Sequence, residues 1–91
     1  MSFYVYMLEC ADGSIYTGHT DNLDGRLAAH RDGTFKGYTS KRQPVRLIFQ
    51  QEFPSRDEAF AAERQIKGWS RQKKLALTRE DWGEIQRLAR I

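Results

Sequence analysis

The feature that most constrains this chain is its opening apolar run and the turn that follows it. Phe3–Cys10, FYVYMLEC, is almost continuously apolar and rich in β-branched and aromatic side chains. That pattern predicts a central strand covered on both faces. Ala11-Asp12-Gly13-Ser14 is a turn signal, and Ile15-Tyr16-Thr17-Gly18 resumes the strand pattern. The pair reads as a β-hairpin.

Two registers are open to it. If Asp12-Gly13 forms a two-residue turn, Ala11 pairs with Ser14. Tyr6 and Tyr16 then fall on opposite faces, because side chains alternate along a strand. If the loop is Ala11-Asp12-Gly13 with Gly13 in the left-handed region, Cys10 pairs with Ser14 and both tyrosines share one face. Glycine suits either loop.

Downstream, Asp21 or Asn22 can cap a helix running to about Asp32. On its wheel Leu23, Leu27 and His30 share a narrow arc, with Arg26 beside His30 one turn away. Gly33–Gln43 is a loop with three positive charges. A strand follows over Val45–Phe49, extendable to Phe53. Ser55 and Glu58 form a capping box that opens a second helix, with Ala59, Phe60, Ala62, Ile66 and Trp69 as its apolar face. A short helix over Arg71–Leu77 comes next. Thr78 and Asp81 then open a last helix, about residues 79–90, carrying Trp82, Ile85 and Leu88. The layout is α+β: β-β-α-β-α-α with an extra C-terminal helix, around a small three-stranded antiparallel sheet. The 91 residues fit one domain, with its core over about residues 3–77.

A single cysteine, Cys10, excludes an internal disulfide and points to a reducing, cytoplasmic setting. No apolar run approaches the roughly 20 residues that span a bilayer. The net charge of +3 conceals an uneven distribution: residues 1–63 carry net −2 and residues 64–91 net +5. Lys36, Lys41, Arg42 and Arg46 form one purely basic group; Arg64, Lys67, Arg71, Lys73, Lys74 and Arg79 form another. Such groups neutralise phosphates or simply keep a surface solvated.

Glu63 falls inside the apolar arc of the second helix, where a carboxylate needs a partner. An ion pair with Lys67 satisfies it, and so does a role as an oxygen ligand to Mg²⁺ beside a phosphate. His30, on an apolar helix side, reads as a satisfied core residue or as a proton carrier beside the phosphate-clamping Arg26. Tyrosines on strands are usually core residues with a wet hydroxyl.

In order, the chain presents Tyr4-Val5-Tyr6, Tyr16-Thr17-Gly18, Arg26-x-x-x-His30, and Glu63 in Ala-Ala-Glu-Arg-Gln-Ile-Lys. This ordered set resembles the GIY-YIG endonuclease superfamily, in particular its small single-domain bacterial branch. The resemblance implies a three-stranded antiparallel sheet flanked by helices, with both motif tyrosines on one active site, which favours the three-residue loop. It implies cleavage of DNA phosphodiester bonds with one divalent metal, Mg²⁺ or Mn²⁺, in settings such as repair. By position, Tyr6 would help activate water, Tyr16 would orient water or phosphate, Arg26 would stabilise phosphoryl charge, His30 would assist proton transfer with Tyr6, and Glu63 would hold the metal. Gly18 would let the backbone pass close beneath the site.

The sequence departs from the family pattern in three places. Tyr4 replaces a glycine, Thr17 replaces an isoleucine, and the late asparagine of many family nucleases has no counterpart, since Asn22 comes too early. The reading is therefore a metal-dependent endonuclease, with a catalytically weak nucleic-acid-binding module of the same fold as the alternative. Lys36, Lys41, Arg42, Arg71, Lys73 and Lys74 are the expected phosphate contacts, and Tyr38 an expected stacking residue. The chain is expected to act as a monomer or weak dimer, off the membrane, with a protein partner to supply specificity.

Overall fold

The structure is a computed structural model that describes residues 2–34, 37–80 and 83. The elements run β1 (Phe3–Glu9), β2 (Ile15–Thr20), α1 (Leu23–Arg31), β3 (Arg46–Phe53), α2 (Arg56–Lys67) and α3 (Arg71–Thr78). The strands form one antiparallel sheet in the order β2-β1-β3, so the most apolar strand lies in the middle as its composition requires. The expected helix over about residues 79–90, with Asp81, Trp82, Ile85 and Leu88, lies outside the described residues from Asp81 on, Gly83 excepted.

The hairpin adopts the three-residue loop. Gly13 has φ +84°, its N–H bonds the Cys10 carbonyl at 2.9 Å, and Cys10 N–H bonds Ser14 O at 2.9 Å. A positive φ of this size is easy only for glycine. Asp12 braces the turn by accepting from Ser14 N at 3.0 Å. The resulting register pairs Tyr6 with Gly18 and Leu8 with Tyr16. Both tyrosines therefore project from the same face.

The two faces carry separate cores. Val5 and Met7 pack with Ala59 and Ile66 of α2 and Ala76 and Leu77 of α3. Tyr6 and Leu8 pack with Leu27 of α1. Each helix start is capped as its sequence directs: Asn22 accepts from Gly25 N, Ser55 from Glu58 N and Ser70 from Lys73 N. Phe60 departs from its expected burial. It is 45% exposed, with the His19 ring 5.3 Å from its own and the Arg64 guanidinium 5.6 Å from its ring centroid.

Thr17 is 2% exposed and points away from Tyr6, and among the described residues its hydroxyl has no hydrogen-bond partner. A buried polar atom left in this way costs roughly 1–3 kcal/mol. Thr17→Val keeps the shape and removes the hydroxyl. It is expected to stabilise the fold by about 1 kcal/mol, raising Tm by roughly 4–8 °C for a domain of this size. Thermal unfolding of the two proteins side by side measures the difference.

Candidate active site

The site grows from the α1 side of the sheet. Tyr6, at the middle of β1, is fully buried, and its hydroxyl hydrogen-bonds Nε2 of His30 at 2.9 Å. His30 is also fully buried, and its Nδ1 lies 2.7 Å from Oγ1 of Thr39. The Tyr6, Tyr16 and His30 rings form a triangle, with centroids 5.1 to 6.2 Å apart. The Tyr6 hydroxyl also interacts with Arg26 and Tyr16 through side-chain hydrogen bonds. The structure thus brings Tyr6, Tyr16, Arg26 and His30 to one place.

Gly18 sits directly beneath them. A Cβ built there would lie 2.7 Å from the Tyr6 oxygen and 3.0 Å from Tyr16 Cε2. Only a residue without a side chain lets β2 pass under the two phenols.

Glu63 reaches the site from the other layer. It is 7% exposed; Oε1 lies 2.8 Å from His19 Nδ1, and Oε2 lies 3.6 Å from Lys67 Nζ. The Lys67 pairing expected at four residues' spacing is present, but the shorter contact is to His19. β2 is an edge strand, so α2 can place this carboxylate at the rim of the sheet. Its charge there raises the Tyr16 pKa, second only to burial among the causes.

Burial sets the protonation states. It pushes the Tyr6 phenol well above its ordinary value; Tyr16 adds to the rise, and the charge and hydrogen bond of Arg26 offset only part of it. Desolvation outweighs the lowering effect of Arg26. Burial, then Arg26, lowers the His30 pKa. At neutral pH the centre is a neutral phenol against a neutral imidazole, with the Arg26 cation beside them.

Among the described residues no three His, Cys, Asp or Glu side chains cluster. Glu63 would therefore be the sole acidic protein ligand. Mg²⁺ commonly binds through one or two carboxylates plus water and substrate phosphate, so a buried, oriented single carboxylate fits it. A carboxylate has about four acceptor sites, so the His19 and Lys67 contacts do not exhaust Glu63.

The expected nucleic-acid contacts divide into two groups. Tyr38 is 40% exposed, its ring is 6.0 Å from that of Tyr16, and the Arg42 guanidinium lies 3.9 Å from its centroid. Lys41, exposed, belongs to the same loop; Lys36 lies outside the described residues. Arg71, Lys73 and Lys74 belong to α3, which packs on the opposite face. Lys73 lies 4.2 Å from the Trp69 ring centroid, and burial and then Lys67 lower the Lys74 pKa. The groups meet at the hairpin turn. Arg42 pairs with Asp12 at 3.0 Å, and Arg71 Nη1 lies 3.9 Å from where a Gly13 Cβ would be. Thr39, Gln43 and His19 escaped the sequence reading. A threonine and a glutamine in a polar loop carry no periodicity signal, and His19 is marked only by following Gly18.

A sheet with a phenol–imidazole–guanidinium cluster on one face and a carboxylate at its rim defines a GIY-YIG-type domain. The chain belongs to that family: the GIY-YIG catalytic domain matches residues 2–76. It is 46% identical over 77 residues to the UPF0213 protein SH2523 of Staphylococcus haemolyticus, covering 85% of this chain and 94% of that one. A UPF0213 protein of Streptococcus sanguinis is 47% identical over 77 residues, covering 85% and 88%. Among solved structures, the protein EF2693 from E. faecalis matches with TM-score 0.61 at 39% identity, covering 90% of this chain and 88% of that one. The UPF0213 protein BH0048 from Bacillus halodurans matches with TM-score 0.55 at 47% identity, covering 85% and 82%.

Two outcomes follow from the geometry. Gly18→Ala drives a methyl group against both phenols and is expected to destabilise the fold by about 1–3 kcal/mol, measurable by urea unfolding. A histidine with a lowered folded pKa takes up its proton more readily in the unfolded chain. Stability is therefore expected to fall as pH drops below about 6.5 toward the folded value. Unfolding midpoints at several pH values check this, and His30→Gln should flatten that segment of the profile.

Proposed function

We propose that the chain is a metal-dependent endonuclease that hydrolyses phosphodiester bonds in DNA. The observation that carries the reading is the hydrogen-bonded Tyr6–His30 pair, with Tyr16 and Arg26 on the same face and Gly18 clearing the space beneath. A phosphodiester placed there meets a permanent cation in Arg26, which would stabilise charge on the phosphoryl oxygens. Tyr6 would draw the proton from the attacking water, acting with its hydrogen-bonded neighbours. Tyr16 would orient that water or the phosphate. Glu63 would hold Mg²⁺ or Mn²⁺, which supplies charge neutralisation at the phosphate and the leaving oxygen.

Tyr38, with Arg42 against its ring, would carry an unpaired base, since stacking tolerates any sequence. Lys41, Arg71, Lys73 and Lys74, and Lys36 from the sequence alone, would contact phosphates on either side of the hairpin turn. Those contacts carry no sequence information, so selectivity would come from DNA shape or a protein partner. A setting in DNA repair or recombination, inside the cytoplasm, accords with that chemistry.

Incubation with supercoiled or branched DNA and Mg²⁺ or Mn²⁺ tests the reading. Cleavage is expected, with Tyr6→Phe lowering kcat by roughly 10²–10⁴-fold and Glu63→Ala reducing cutting to background. Salt-sensitive binding without turnover in either metal would instead identify a binding module of the same fold.

A further inference from the structure

Thr39 is fully buried, and among the described residues its hydroxyl has one side-chain partner, Nδ1 of His30 at 2.7 Å. Gln43 holds both residues in place: its amide donates to the Thr39 carbonyl at 3.1 Å and to the His30 carbonyl. A hydroxyl carries one proton and can either give it or receive one from the ring. Were Nδ1–H the donor, the buried Thr39 proton would have no acceptor among the described residues, a costly state. With Thr39 as the donor, its one proton is used and Nδ1 is the acceptor. A neutral imidazole then carries its proton on Nε2, directed at the Tyr6 oxygen 2.9 Å away.

The remaining contacts agree with that direction. Arg26 has only donors, so its bond with Tyr6 ends on the Tyr6 oxygen. With N–H donors from His30 and Arg26 on its oxygen, Tyr6 has its single proton left for the Tyr16 oxygen. Every proton in the chain thus runs one way, from Thr39 through His30 and Tyr6 to Tyr16.

We propose that Thr39 is a positioning residue: its hydroxyl holds His30 in the Nε2–H form, making His30 a hydrogen-bond donor to the Tyr6 oxygen. This inference rests on the nuclease reading for its purpose. Tyr6 passes its own proton to the Tyr16 oxygen as the partly exposed Tyr16 releases its hydroxyl proton to solvent, and the resulting Tyr6 phenolate is met by N–H donors from His30 and Arg26. It then accepts the proton of the attacking water. His30 stabilises the base and does not take the proton from it.

Nitrogen-15 correlation spectra of the imidazole rings, on the intact protein near pH 7.5, test the proposal without any catalysis. In the wild-type protein His30 is expected to be protonated at Nε2, and Thr39→Ser should preserve that form. Protonation at Nδ1 in the wild type overturns the proposal. In Thr39→Val the ring should lose its single Nε2–H form, and kcat on DNA should fall roughly 10- to 100-fold, the scale seen when a group orienting a functional imidazole is removed. KM should be unchanged, and Thr39→Ser should retain activity. A folded Thr39→Val protein with wild-type kcat, or with the ring still wholly Nε2–H, also overturns it. Backbone amide spectra report folding, and Thr39→Ala replaces Thr39→Val should the latter unfold. Absence of wild-type cleavage in either metal would remove the nuclease reading, while the ring spectra would still decide what Thr39 does to His30.

Discussion

The three-residue turn at Ala11-Asp12-Gly13 is the constraint on which the remainder depends. It pairs Tyr6 with Gly18 and Leu8 with Tyr16. A slip of one residue would send Tyr16 to the α2 face and bring Thr17 or His19 opposite Tyr6, because side-chain direction alternates with every residue. The turn holds because Gly13 accepts a positive φ at no steric cost and because Asp12 bonds both Ser14 and Arg42. The register of this one turn thereby decides which side chains meet on the α1 face, up to 24 residues apart.

The candidate site and one of the two cores are the same residues. Tyr6 and His30 are wholly buried, and packing with the partly exposed Tyr16 strips most water from them while leaving the Tyr16 edge open. That exclusion keeps both phenols and the imidazole neutral near pH 7, with burial the largest cause in each case. Fixed charge enters from the margins: Arg26 from α1 and Glu63 from α2. Low local polarity strengthens the influence of both on whatever binds between them.

Glu63 can serve a site on the opposite face because β2 is an edge strand. A carboxylate on α2 beneath a central strand would be screened from the phenols by the sheet itself. At the rim it is held by His19, which points to the α2 side, while its charge reaches Tyr16. The same edge brings the two basic surfaces together at the hairpin turn, where Arg42 and Arg71 approach from opposite layers.

Much was legible in the sequence alone. The apolar run determined the central strand, Ser55 and Glu58 marked the start of α2, and Tyr6, Tyr16, Arg26, His30 and Glu63 stood at family spacing. Those signals are local, arising from periodicity, capping chemistry and motif order, and the family that the motif order resembles is the one that matches residues 2–76. The hairpin register was undecided, since Gly13 suits two loops, and only pairing between strands with two separate cores selected one. Thr39 and Gln43 carried no signal because a loop has no period, and their roles exist only once the loop folds back on α1. The balance between Arg26 and desolvation at Tyr6 was likewise a tertiary outcome. Sequence names the charges present, but only the packed structure determines how much water each one loses.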